Sequence, residues 1–336
     1  MSLESIISRA NVNRSAPPQS GMDWVPLYQG NGRFGSCYGP WGLHVPPGKS
    51  CPYSVHGNTQ FMHLQRYVRA RFGADYLIPL AKIFWETEPD GAREYTQEQS
   101  FYDGTLATYF DTGEYAVKIL SWFDPVGRNI AGFQFEVSGK PPAIVIAPFR
   151  ELYVHYDQRL TVDASASMQD KAWHAELGCL NAAARFSVWT DSDMAPFEDG
   201  VKVLLPTGRS SLLITVNDEP DVTAETSLLR NRQWWHSEWE RGAWLDLPDE
   251  EAQQTWIRSI AYILNSYNDD GLGMSGPMGF TGNGWPFSFP QDLSYAHPVL
   301  LSTGRTNIAK SWIEYWAGYL DGMKEYTQRL LGVGGV

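Results

Sequence analysis

EYTQEQSFYDGTLATYFDTGEYAVKILSWF, residues 94 to 123, decides the architecture. Three short runs with apolar residues at alternate positions are separated by Asp103-Gly104 and Thr112-Gly113, pairs that favour tight hairpin turns. Strand follows strand with no helical interruption, which argues for an antiparallel sandwich and against a βαβ sheet. The pattern extends outward in both directions. Upstream, DWVPLYQ, GRFGSCYG, WGLHV and YLIPLAKIFWE are apolar runs punctuated by Gly and Pro, with Asn31-Gly32 as a further turn. Downstream, NIAGFQFEVS, AIVIAPF, ARFSVWTD, VKVLLPTG and SSLLITVND carry it to Asp218. Residues 21 to 220 are therefore expected to form one large antiparallel β-sandwich. Within it, FMHLQRYVRARF (61 to 72) reads as a helical face through Leu64, Tyr67 and Val68, and Arg33 reads as an ion-pair partner inside the fold. Residues 1 to 20 are polar, contain Pro17 and Pro18, and read as a loose leader.

After Asp218 the chain changes character. In NDEPDVTAETSLLRNRQWWHSEWERGAW, Leu228, Leu229, Trp235 and Trp239 form a helical stripe, so residues 221 to 248 are expected to be a helical linker. Trp234, Trp235, Trp239 and Trp244 read as interdomain packing. From residue 249 to 336 the pattern is helical: Pro248 and Asp249 open a helix with Glu250 and Glu251 in its first turn, and Trp256, Ile260, Ile263, Leu264 and Tyr267 give it a core face. Helices from about Gln291 and about Thr306 follow. His297 reads as a satisfied core histidine, and Glu94 and Glu98 as a solvated strand face. The fold class expected is multidomain β + α.

Between those helices lies GFTGNGWPFSFPQD, residues 279 to 292. Its glycines and prolines give a shaped but irregular loop, and Gln291 and Asp292 fall in the first turn of the next helix, where a carboxylate suits the dipole. Trp285, Phe287 and Phe289 stand beside them. Aromatic faces next to a carboxylate and an amide suit a pyranose ring, whose C–H face packs on an aromatic while its hydroxyls take directional hydrogen bonds. A helix start with buried aromatics is the other reading of the same residues.

This segment resembles GLTGEGYxGHxFWD, which opens the catalytic barrel of family 65 glycoside hydrolases and phosphorylases; Gly279, Thr281, Gly282, Gly284 and Asp292 match, and Trp285 replaces the Tyr. QGNGRFGSCYG, residues 29 to 39, is similar to GNGRLGAMVYG of the family 95 α-L-fucosidases. The resemblance implies a β-sandwich, a helical linker and an (α/α)6 barrel acting on α-linked glycosides with inversion. It also implies that Asp292 contacts substrate, with Gln291 beside it and Trp285 as a stacking wall. The general acid of those families is a Glu in a later hairpin, and no position here matches it, so the catalytic residue stays unassigned. Only 88 residues follow residue 248, room for four or five helices of about 12 residues. The barrel is expected to be incomplete, with LLGVGGV as an end or a cut. No cofactor is implied, apart from inorganic phosphate as co-substrate in a phosphorylase. A non-catalytic sugar-binding or assembly module, completed by a second copy or a partner chain, is the alternative.

Composition narrows the partners. A net charge of −12 disfavours nucleic acid and anionic membrane surfaces, which need a basic footprint. The sequence contains no apolar run of about 20 residues and no secretory core, so cytoplasmic residence is the default. Cys37, Cys51 and Cys179 suggest neither a disulfide framework nor a zinc site, and the seven histidines lack ligand spacing. Asp269-Asp270-Gly271 lacks the later ligands of a calcium loop and reads as a turn.

Overall fold

A computed structural model describes residues 2–17, 25–46, 61–66, 75–127, 129–148, 153–155, 158–160, 162–169, 172–179, 182–267, 269 and 293–334. The strands run in chain order as β1 (Val12–Arg14), β2 (Leu27–Gly30), β3 (Phe34–Tyr38), β4 (Phe61–Arg66), β5 (Asp75–Trp85) and β6 (Glu94–Ser100). They continue as β7 (Thr105–Asp111), β8 (Ala116–Phe123), β9 (Ile130–Ser138), β10 (Ile144–Pro148), β11 (Tyr153–His155) and β12 (Gln158–Leu160). The last six are β13 (Val162–Gln169), β14 (Ala172–Cys179), β15 (Ala182–Thr190), β16 (Asp193–Phe197), β17 (Gly200–Leu204) and β18 (Gly208–Val216). Among the described residues they build a nine-stranded sheet, β1-β6-β7-β8-β9-β18-β15-β14-β13, and a seven-stranded sheet, β16-β17-β10-β5-β4-β3-β2, with β11-β12 as a separate hairpin. Every pairing is antiparallel.

The deciding stretch folds as expected. β6 and β7 pair from Glu94↔Asp111 to Ser100↔Thr105, and β7 and β8 from Leu106↔Ser121 to Asp111↔Ala116. Their inward side chains, including Tyr95, Leu106, Phe110, Val117 and Ile119, meet Leu80, Ile83, Trp85, Ile144 and Val201 of the other sheet in one core. Glu94 and Glu98 are exposed on the outer face of β6.

The helices are α1 (Leu3–Ser8), α2 (Ala224–Arg241), α3 (Glu250–Ser266), α4 (Leu293–Ser302), α5 (Thr306–Ala317) and α6 (Leu320–Leu331). Thr223 caps α2 by accepting from Thr226 N, and Asp249 caps α3 by accepting from Ala252 N. A second core joins α2 to α5 with α1 and the β6–β7 turn: Ile7, Phe101, Trp235, Trp239, Ile257, Ile260, Leu264, Leu300, Ile308 and Trp312 are buried together. Four helices follow residue 248 among the described residues, and an (α/α)6 barrel is not seen. No helix among them is long and apolar enough to cross a membrane.

Four expectations need correction. The leader is partly built into the fold: α1 buries Ile6 and Ile7, and β1 extends the larger sheet through Val12↔Gln99. A six-residue helix is marginal alone, and tertiary burial supplies what its length lacks. The helical reading of residues 61 to 72 fails over its described part, where Phe61–Arg66 is β4, because pairing with β3 and β5 outweighs local periodicity. In WGLHV, Leu43 and Val45 are buried without forming a strand. Leu229, placed on the α2 stripe, is exposed, while Leu228 is buried against Trp122.

Candidate functional site

Trp285, Gln291 and Asp292 lie outside the described residues, as do the Gly279–Pro290 loop and Phe287 and Phe289 within it. The described elements that flank that segment in the chain are α3 and α4, and a sandwich turn is docked against the C-terminal end of α3.

That turn joins β2 to β3. Asn31 Oδ1 accepts from Arg33 N (3.1 Å) and Phe34 N (2.8 Å), its Nδ2 donates to Asp124 O (2.9 Å), and Gly32 adopts φ +85°, which glycine reaches without strain. The end of α3 grips the turn from outside. Gly30 N donates to Asn265 Oδ1 and Gly32 N to Asn265 O, both at 2.9 Å, and Tyr28 Oη shares a hydrogen bond with Ser266 Oγ at 2.8 Å. Asn265 Nδ2 donates back to Ala261 O, which holds its amide in place. The GNGR segment is thus pinned to the last turn of the helix that precedes residues 270–292 in the chain.

Arg33 differs from its sequence reading. Among the described residues it makes no ion pair and no side-chain hydrogen bond, and its Nε is buried without an acceptor. Nearby acceptors in the turn's network are engaged. Asp124, 0% exposed, receives Ser227 Oγ (2.9 Å), Arg230 Nε (2.9 Å) and Nη2 (2.5 Å) at Oδ2, and the Val126 and Gly127 N–H groups at Oδ1. Asn129 bridges His63 Nε2 (2.9 Å) and Asp218 Oδ2 (2.7 Å).

A second polar cluster lies where the end of α2 meets the α4–α5 corner. Glu238, 1% exposed, accepts from Arg241 at Oε1 (2.7 Å), whereas Oε2 has no partner. Burial pushes its carboxyl pKa upward; Arg241 and Arg305 oppose the rise and Asp269 adds to it. Arg305, also 1% exposed, donates to Glu238 O (3.2 Å) and Thr303 O (3.4 Å), lies 5.6 Å over the Trp239 ring and leaves Nε unsatisfied; burial lowers its pKa. A raised carboxyl with a free oxygen has the electronic character of a general acid. Glu238 is sealed from solvent, however, and serves here as a helix junction.

The remaining expectations resolve into packing. Trp239 Nε1 donates to Phe101 O (2.8 Å), and Trp235 fills the space over Gly104, where a Cβ would come within 1.8 Å of its ring. Trp244 stays exposed. His297 Nε2 donates to Ala309 O (2.9 Å), as a satisfied histidine should. Asp103, at the β6–β7 turn, binds His236 (2.8 Å) and Arg232 (3.2 Å), while Tyr102 stacks on the His236 ring at 4.1 Å. No residue-type signal in the sequence singled out Glu238 or Arg305, because both owe their state to burial between distant elements.

Comparison with solved structures adds the fold relationship. A protein assigned as a kojibiose phosphorylase, from the human microbiome, superposes over 96% of this chain with a TM-score of 0.67 at 12% identity. The chain shares that protein's fold. It covers 50% of that protein's length. A family GH92 α-mannosidase from Bacteroides thetaiotaomicron aligns over 96% of this chain and 50% of its own at 8% identity, with a TM-score of 0.40. No protein-family model and no curated protein matches the sequence.

Proposed function

We propose that this chain belongs to a carbohydrate-active enzyme, an inverting hydrolase or phosphorylase of α-linked glycosides. In this reading Asp292 and Gln291 hold non-reducing-end hydroxyls, Trp285 stacks on the ring, and the general acid comes from residues other than these. Inverting cleavage requires an acid on the leaving oxygen and an activated water or phosphate on the opposite ring face. The observation that carries the reading is that the GNGR turn is bonded to the last turn of α3, the helix that precedes the other motif in the chain. The fold shared with a kojibiose phosphorylase supports it. Sugar and linkage, and hydrolysis versus phosphorolysis, are resolved by assaying the protein against a panel of α-glycosides with and without inorganic phosphate. Asp292→Ala is expected to abolish turnover without lowering the melting temperature; wild-type turnover in that variant discards the assignment.

A second reading has its own support. Ile313, Leu320, Leu330 and Leu331 are exposed on α5 and α6, and an apolar groove of about 670 Å³ runs past Leu247, Trp256, Ile260 and Val299. A sugar-binding or assembly module that pairs through these helices would bind oligosaccharide without turning it over, and would sediment as a complex.

A further inference from the structure

Helix α6 buries none of its twelve residues. The other helices differ: α1, α2, α3 and α5 each bury apolar side chains, and α4 buries Ala296 and Leu300. A helix of this length is marginal in water unless an apolar face is packed against something. Such a face exists on α6. At about 100° per residue, Leu320, Met323, Tyr326, Leu330 and Leu331 fall on one side of it. Met323 rests partly on the helical core, whereas Leu320, Leu330 and Leu331 are 42%, 63% and 65% exposed. Lys324 and Arg329 flank that side, and Asp321 and Glu325 lie opposite it.

A second open surface complements the first. The groove of about 670 Å³ between α3 and α4 is lined by Leu247, Trp256, Ile260 and Val299, with the exposed carboxylates of Asp249 and Glu251 beside them. An apolar groove bordered by acids suits an amphipathic helix whose apolar side is bordered by bases. Two copies of a chain with a net charge of −12 repel one another on average, so a contact between them needs local complementarity of this kind.

We infer that α6 of one copy docks in the α3–α4 groove of a second copy, and that the exchange is reciprocal. Leu320, Leu330 and Leu331 enter the groove, and Lys324 and Arg329 meet Asp249 and Glu251. Reciprocal docking closes a two-fold dimer, because each copy offers both the helix and the groove. The inference names the interface of the assembly reading given above and rests on that reading; it takes nothing from the glycoside chemistry.

The test is sedimentation velocity of the whole chain across a range of concentrations, as wild type and as two double variants. Leu330→Lys with Leu331→Lys spoils the helix, and Thr255→Arg with Ser259→Arg fills the groove and reverses its charge. All four positions are exposed, so the melting temperature of each diluted variant is expected to stay near that of the wild type. Wild type is expected to form a dimer, and each variant alone to weaken it at least about ten-fold. An equimolar mixture of the two variants is expected to associate more tightly than either alone, because it restores one intact helix facing one intact groove. A wild type that stays monomeric overturns both the inference and the assembly reading. A dimer that survives either double variant, or variants whose mixture recovers no association, overturns the docking of α6 in the groove and leaves the assembly reading standing.

Discussion

The two ends of α2 both bury a carboxylate against arginine, and they are finished to different degrees. At the N-terminal end Asp124 accepts from a hydroxyl, a guanidinium and two backbone N–H groups, and its ion pair with Arg230 is part of a closed network. At the C-terminal end Glu238 has one oxygen without a partner, and Arg305 has an unsatisfied Nε. A buried charge is tolerated when its hydrogen-bonding capacity is filled and is a source of strain when it is not. The first end therefore fixes the linker helix to the sandwich. The second is a junction whose energy depends on protonation.

The largest expected effect comes from breaking the saturated end. Asp124→Ala strands Arg230, Ser227 and two backbone N–H groups, and should cost about 3–5 kcal/mol, read as a drop in the urea midpoint. A loss below about 1 kcal/mol would show that the network is not what holds α2 in place.

Glu238→Gln should have a smaller effect, and one that depends on pH. Because the folded-state pKa of Glu238 is raised, the native state binds more protons than the unfolded state from about pH 4.5 upward to the raised pKa. Its contribution is complete below that window and is lost as pH rises through it. Urea unfolding between pH 4 and pH 8 should therefore show Glu238→Gln gaining on wild type as pH increases. Parallel stability curves would place the two ends of α2 on the same footing.

The smallest effect belongs to an exposed pair. Arg9 donates to Glu250 and Asp246 at the surface, and its hydrogen bond to Glu250 is the leading cause of that carboxyl's lowered pKa. Arg9→Ala should loosen α1, seen as faster amide exchange at Ile6 and Ile7, with a difference from wild type that fades in high salt. Salt-independent loss would mean that packing of the Arg9 stem, and not its charge, secures α1.

The particular elements show what kind of information each part of the fold needed. β6 to β8 were legible because alternation and Gly-containing turns are local, and their register follows from turn length. The start of α3 was legible for the same reason, since Asp249 and the two glutamates act within one helical turn. β4 was not, because Phe61–Arg66 becomes a strand only between β3 and β5. Of the candidate site, the GNGR turn was visible as a motif, and its attachment to Asn265 and Ser266 was not; those partners are more than 200 residues away in the chain.

By itself the sequence determined the antiparallel sandwich and the switch to helices after Asp218, since each rests on periodicity; Trp285, Gln291 and Asp292 were named from a contiguous motif and lie outside the described residues. Tertiary structure alone decided that Asp124 is saturated and that Glu238 is not. Whether a charge finds a partner is set by which distant elements pack around it, and burial converts that outcome into free energy.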